Sequence, residues 1–281
     1  MALALQFEAW FLRGELFQGG IMGFRFSRRR LLLVGVAVLV VGVLVAVPIV
    51  VRTNKDSPVE TAAAAIGPSK SCPNPSFVTT SRNNQGEGRD FGQYYVHNNM
   101  WNNQDGVYTM SACNYDNWYE DVTQPKPGDN GVQAYPNVHK DYDDVPLSRI
   151  KSAKFAATTP ADCAGCVYDV AFDVWIGDGL KNELMIWTEN KGQTPGGDKI
   201  GTVSIGGFTY DVWHEDGYTA YVSQVTQKSG TMPLASFFDD MTRRGWAPKP
   251  TTWQVDFGVE IVSTAGATRR FTFTDFAIEE S

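Results

Sequence analysis

The chain has 281 residues, 43% of them hydrophobic and 12% aromatic, and a formal net charge of −7. That length holds one large or two small domains, so the first 70 residues decide the count. Beyond residue 70, 27 Asp and Glu stand against 16 Lys and Arg, a local charge of −11 that argues against nucleic-acid and anionic-membrane binding.

Residues 31–51, "LLLVGVAVLVVGVLVAVPIVV", carry no charge and are long enough to span a bilayer as a helix. Arg25, Arg28, Arg29 and Arg30 precede them, placing the basic flank on the cytoplasmic side. The same stretch, "SRRRLL", approximates a twin-arginine export signal. An uncleaved anchor and a cleaved signal both fit, and Met22 is a second candidate start. Residues 1–51 therefore read as a targeting or transmembrane segment and 52–70, with Pro58 and Pro68, as a linker. Residues 71–281 are expected to form one exported domain, either secreted or held at the membrane.

All four cysteines follow the export segment. An even count in an oxidising compartment reads as two disulfides, Cys163 with Cys166 in "CAGC" and Cys72 with Cys113. Metal binding is not expected, because His97, His139 and His214 show no ligand spacing.

Along the domain, "GQYYVHNNMW", "AKFAATT", "VYDVAFDVWI" and "NELMIWTE" alternate or are rich in β-branched and aromatic residues. So are "TVSIGGFTYDVWHE", "YTAYVSQVTQ", "TWQVDFGVEIVST" and "RRFTFTDFAIE", with Gly, Asn, Asp and Pro turns between the segments. "PLASFFDDMTRRGW" is the exception. Leu234, Phe237, Phe238 and Met241 sit at helical spacing between Pro233 and Gly245. The expected class is all-β: an antiparallel sandwich or jelly roll with one short helix and a concave, aromatic-rich face forming a cleft. Exposed rows of Trp and Tyr in an acidic β-protein suit sugar rings, whose C–H faces stack on aromatics.

Two strands place an acid on the face opposite the core. In "ELMIW", Leu184 and Ile186 take one face while Glu183, Met185 and Trp187 take the other. In "VDFGVEI", Phe257, Val259 and Ile261 face the core, against Asp256, Gly258 and Glu260. Glycosidic cleavage needs two carboxyl groups across the sugar, one ionised and one protonated, and apolar walls such as Met185 would raise the pKa of one.

These motifs resemble glycoside hydrolase family 12, small jelly-roll endoglucanases and xyloglucanases. "ELMIW" at 183–187, "FGVE" at 257–260, "NNMW" at 98–101, "YPN" at 135–137, "AFDVW" at 171–175 and the "LASFFDDMTRRG" helix carry the resemblance, over roughly residues 72–281. It implies Glu183 as nucleophile and Glu260 as general acid/base of a retaining double displacement. Asp173 would be a helper hydrogen-bonded to the nucleophile. Asn99 and Trp101 would hold a sugar upstream of the cleaved bond, and Met185 and Trp187 would line the cleft. Retention requires the two carboxyl groups roughly 5–5.5 Å apart. The expected substrate is a β-1,4-glucan of cellulose or xyloglucan type, cut internally by a monomer with no cofactor. A non-catalytic carbohydrate-binding domain, an adhesion domain and a xylanase or mixed-linkage glucanase are the competing readings. Of the remaining residues, Glu189 is placed in the following turn, His97 as structural, Trp213 and Glu215 as cleft candidates, and Trp246 and Trp253 as core.

Overall fold

The computed structural model describes residues 70–82, 86–103, 105–129, 131–177 and 181–281; the apolar segment 31–51 and most of the linker lie outside them. The first strands are β1 (Phe77–Thr79), β2 (Gly88–Phe91), β3 (Tyr94–His97), β4 (Val107–Asn114), β5 (Asn117–Thr123), β6 (Asn137–Pro146), β7 (Ile150–Thr158) and β8 (Val167–Ile176). They are followed by β9 (Glu183–Lys191), β10 (Asp198–Ile205), β11 (Phe208–Glu215), β12 (Tyr218–Ser223), β13 (Ser229–Met232), helix α1 (Leu234–Arg244), β14 (Thr251–Ser263) and β15 (Arg269–Glu280).

The strands form two sheets. One has the order β1-β4-β5-β15-β7-β13, the other β10-β11-β12-β9-β8-β14-β6-β3-β2. The pairing is antiparallel, as expected, with one exception: β12 runs parallel to β9, with Ala220 opposite Met185. The β10–β12 meander turns back after β9 and lays its last strand, not its first, against it.

Between the sheets lies a core built on the period-two faces. Phe172 of β8 and Phe257 of β14 meet at 4.6 Å between ring centroids, and Trp118 of β5 stacks on Phe273 of β15 at 4.0 Å. Leu184 and Ile186 bury fully in this core. A second, smaller cluster lies on the other face of the nine-stranded sheet. There Ala171, Met185, Trp187 and Ala220 pack with Trp213, Tyr218 and Val222. The expected division of β9 into a core face and an opposite face is therefore present.

Helix α1 starts after Pro233 and ends at Gly245, whose φ of 78° suits glycine in a left-handed cap. Leu234, Phe237, Phe238 and Met241 are buried, as the spacing predicts. Asp240 is buried with them and accepts hydrogen bonds from Arg243, Arg244 and Tyr221. Both expected disulfides are formed, Cys72–Cys113 and Cys163–Cys166.

Candidate active site

The open face of the nine-stranded sheet collects carboxyl groups by register. On β8, Asp169, Ala171 and Asp173 alternate with the core residues Val170, Phe172 and Val174. On β14, Asp256, Gly258 and Glu260 alternate with Val255, Phe257 and Val259. The two strands pair so that Asp169 faces Glu260, Ala171 faces Gly258 and Asp173 faces Asp256. Across β8 from β14, Met185 of β9 pairs with Asp173 and Glu183 with Trp175. Paired residues share a face, so Glu183 joins the same block of acids.

Gly258 holds the middle rung open. A Cβ there would lie 2.2 Å from the Pro136 carbonyl oxygen and 2.7 Å from Asn137 Cβ. The "YPN" segment thus runs directly over "FGVE". It also places the buried Tyr135 among the acids, where its hydroxyl donates to the Ala171 carbonyl at 3.1 Å.

Burial governs the electrostatics of this block. It pushes the Glu183 carboxyl up to about 8, with the Glu260 charge adding to the shift. Glu260 is also raised by burial, while a hydrogen bond with Asp169 acts the other way. Asp169, Asp173 and Asp256 all lie well above the usual carboxylate range, each chiefly through burial. After burial, the charges that matter most are Glu260 for Asp169, Glu183 for Asp173 and Asp141 for Asp256. Tyr135 and Tyr218 stay protonated, raised by burial and then by these carboxyl charges. Burial and like charge therefore act in the same sense, and both hold protons on the block.

On one flank, His139 Nδ1 lies 2.8 Å from Asn137 Oδ1 and 3.3 Å from Asp256 Oδ1. The Asn137 side-chain nitrogen donates to the Tyr135 carbonyl, which fixes its oxygen toward the ring and the proton on Nδ1. Burial, then the neighbouring His97, lowers His139 to about 3, so the ring is neutral. His97 pairs with Glu87 at 3.4 Å. On the other flank, the Gln193 side-chain nitrogen lies 3.5 Å from Glu260 Oε2.

The structure brings Glu183, Asp173 and Glu260 into one electrostatic unit. Trp101 is 52% exposed, and Asn99 adopts a left-handed φ of 38° and accepts a backbone hydrogen bond from Tyr135. Met185 and Trp187 occupy the expected face, but they are only 2% and 1% exposed. Tyr218 covers them, its hydroxyl donating to Met185 sulfur at 3.4 Å, and Trp187 donates to the same sulfur. They form a buried floor beneath Tyr218 and Trp213.

Glu189 is not in a turn. Val170 pairs with Glu189 and Ala171 with Trp187, leaving Thr188 as a bulge that reverses the phase of β9. Glu189 consequently accepts hydrogen bonds from Thr159 and from Tyr168, a core residue. Trp246 packs on the core and stacks on His214 at 3.9 Å, whereas Trp253 stays half-buried beside Trp175.

The sequence assigns no role to Asp169, Asp256, Tyr135, Tyr218 or Gln193, although Asp256 falls on the Glu260 face and Tyr135 opens "YPN". For Asp169 the signal exists, since it lies in phase with Asp173 four residues earlier.

The sequence profile of glycosyl hydrolase family 12 matches residues 92–280. Endoglucanase A of Aspergillus kawachii is 25% identical over 201 residues, covering 62% of this chain and 83% of that protein. The xyloglucanase domain of NopAA from Sinorhizobium fredii, solved with cellobiose, superposes with a TM-score of 0.65 at 23% identity, over 74% of this chain and 100% of that one. Endoglucanase cel12A from Rhodothermus marinus gives 0.58 at 24% identity, over 69% and 95%.

Proposed function

The chain belongs to glycosyl hydrolase family 12 and is a glycoside hydrolase, and on that basis we propose a retaining endo-β-1,4-glucanase acting on cellulose-type or xyloglucan chains. Glu183 attacks the anomeric carbon while Glu260 protonates the departing glycosidic oxygen. Glu260 then takes a proton from water, whose oxygen displaces Glu183 from the sugar.

The observation that carries this reading is that Glu183 and Glu260 stand on one face of the sheet, on the strands either side of β8 and its Asp173. Burial chiefly raises the Glu183 carboxyl, and the Glu260 charge adds to that shift. Protonating Glu260 removes that second contribution and eases ionisation of Glu183, the direction that a nucleophile beside an acid requires. Asp173, kept neutral by burial and by Glu183, supplies an O–H toward the nucleophile. Asn99 and the exposed Trp101 hold the upstream sugar, with Tyr218 and Trp213 as the surface above Met185 and Trp187. The role is extracellular, with the domain released or held by the N-terminal segment, as the even cysteine count and both disulfides suggest.

The experiment is reducing-sugar release from cellulose derivatives, xyloglucan, mixed-linkage glucan and xylan, by wild type and by Glu183→Gln. Release from a β-1,4-glucan that disappears in the variant supports the proposal. Binding without cleavage by the wild type refutes it in favour of a binding domain.

A further inference from the structure

Asp169 is fully buried and directly opposite Glu260 in the β8–β14 ladder. Among the described residues, neither of its oxygens meets an N–H or hydroxyl donor. Its hydrogen-bonding neighbour is the Glu260 carboxyl itself. The other titratable groups facing it are Asp173 on its own strand, Glu183 from β9, and the hydroxyls of Tyr135 and Tyr218. None of these is a cation. Two carboxylates side by side without a donor or cation would be strongly unfavourable, so this pair must share at least one proton.

We propose that Asp169 is the positioning residue of Glu260: it keeps its own proton and donates a hydrogen bond to the Glu260 carboxylate. The inference rests on the assignment of Glu260 as acid/base. In the first step the Glu260 proton passes to the glycosidic oxygen as the C–O bond breaks, leaving Glu260 as a carboxylate. The Asp169 O–H then stabilises that new anion, which has no cation among the groups named above. In the second step Glu260 regains a proton from water, and Asp169 ends as it began. Asp169 adds no net charge at any stage, and Gln193 supports Glu260 from the other side. Burial keeps Asp169 protonated, and Glu260 favours the same state.

The sign of one variant separates this from an ionised Asp169. A donor to the charged form lowers the pKa of Glu260, whereas a neighbouring anion raises it. The test uses the full chain with Asp169→Asn, which keeps an N–H donor, and Asp169→Val, which removes it. Both are measured as pH profiles of kcat/KM on a soluble glucan and on an aryl cellobioside with a nitrophenol leaving group. The asparagine variant should stay within about threefold of wild type, with its alkaline limb in place. The valine variant should lose about tenfold on the glucan, with the alkaline limb moved up by about one pH unit, and far less on the aryl substrate, which needs little protonation. If valine does not fold, the asparagine limb alone decides. An alkaline limb that moves down in the asparagine variant, or equal losses on both substrates in the valine variant, overturns the inference. Absence of hydrolysis by the wild type overturns the function instead, and this inference with it.

Discussion

Asp173 and Asp256 face each other across β8 and β14, 5% and 2% exposed; Asp173 Oδ1 lacks a hydrogen-bond partner among the described residues, and Asp256 Oδ1 has the neutral His139 ring 3.3 Å away. With Asp169 and the half-buried Glu260 two rungs along, the protein holds four carboxyl groups in two facing pairs. Burial raises all of them, as it does Glu183 and the core residue Glu120. An acid whose folded pKa is raised binds more protons folded than unfolded. Its contribution is complete below the unfolded value, about 4, and is lost as pH rises through the folded value, about 8 for Glu183. The surface carboxyls Asp144, Asp211 and Glu280 are lowered by lysine hydrogen bonds and work in the opposite sense, losing their contribution as pH falls below about 4. Thermal unfolding should therefore show a maximum at mildly acidic pH and a Tm several degrees lower at pH 8. Asp256→Asn should shrink that fall. A Tm that climbs steadily from pH 5 to pH 8 would falsify this account of the acid block.

Gly258 predicts a packing effect with a catalytic readout. A Cβ placed 2.2 Å from the Pro136 oxygen must push the 135–137 segment off β14. Gly258→Ala should cost about 2 kcal/mol of stability and reduce kcat, since Tyr135 and Asn137 move with that segment. Calorimetry and steady-state rates on the same preparation check it. A variant as stable and active as wild type would show that the segment has room to yield.

Trp101 predicts the converse, an effect on binding with little effect on folding. It is among the few large apolar side chains exposed among the described residues. Trp101→Ala should raise KM on a soluble glucan roughly threefold to tenfold, with Tm nearly unchanged. An unaltered KM would remove Trp101 from the substrate path.

The two disulfides should differ in weight. Cys72–Cys113 closes 41 residues and ties the segment before β1 to β4, whereas Cys163–Cys166 closes 3. Chain entropy alone gives about 4 kcal/mol for the first and about 1.6 kcal/mol for the second. Paired serine substitutions followed by denaturant unfolding should rank them in that order. Equal losses would point to a contribution other than loop closure.

Period-two alternation made the two central strands readable, because each has a continuous apolar face and a polar one. Leu184 and Ile186 went to the core, and Glu183 and Glu260 to the opposite face, as the pattern requires. Helix α1 was equally legible from its spacing and its Gly245 cap. What alternation cannot supply is register. The Thr188 bulge that removes Glu189 from the site depends on the fit of β9 to β8. The placing of Tyr218 over Met185 depends on a parallel pairing between strands far apart in sequence. The β4–β5 hairpin was absent from the sequence reading for a different reason. Its strands flank "NYDN" with polar, weakly patterned residues, including a buried glutamate, Glu120, on the core face. Asp169 was visible in "YDVAFD", yet a lone in-phase aspartate has no meaning until Glu260 is seen opposite.

The central claim, that Glu183 and Glu260 act as nucleophile and acid/base, is tested most directly by trapping the covalent intermediate. Treatment with a 2-deoxy-2-fluoro cellobioside bearing an activated leaving group should add one glycosyl mass per chain. Peptide mapping should then place it on Glu183. An adduct on Glu260 or elsewhere, or hydrolysis of a glucan with inversion at the anomeric carbon, would contradict the account.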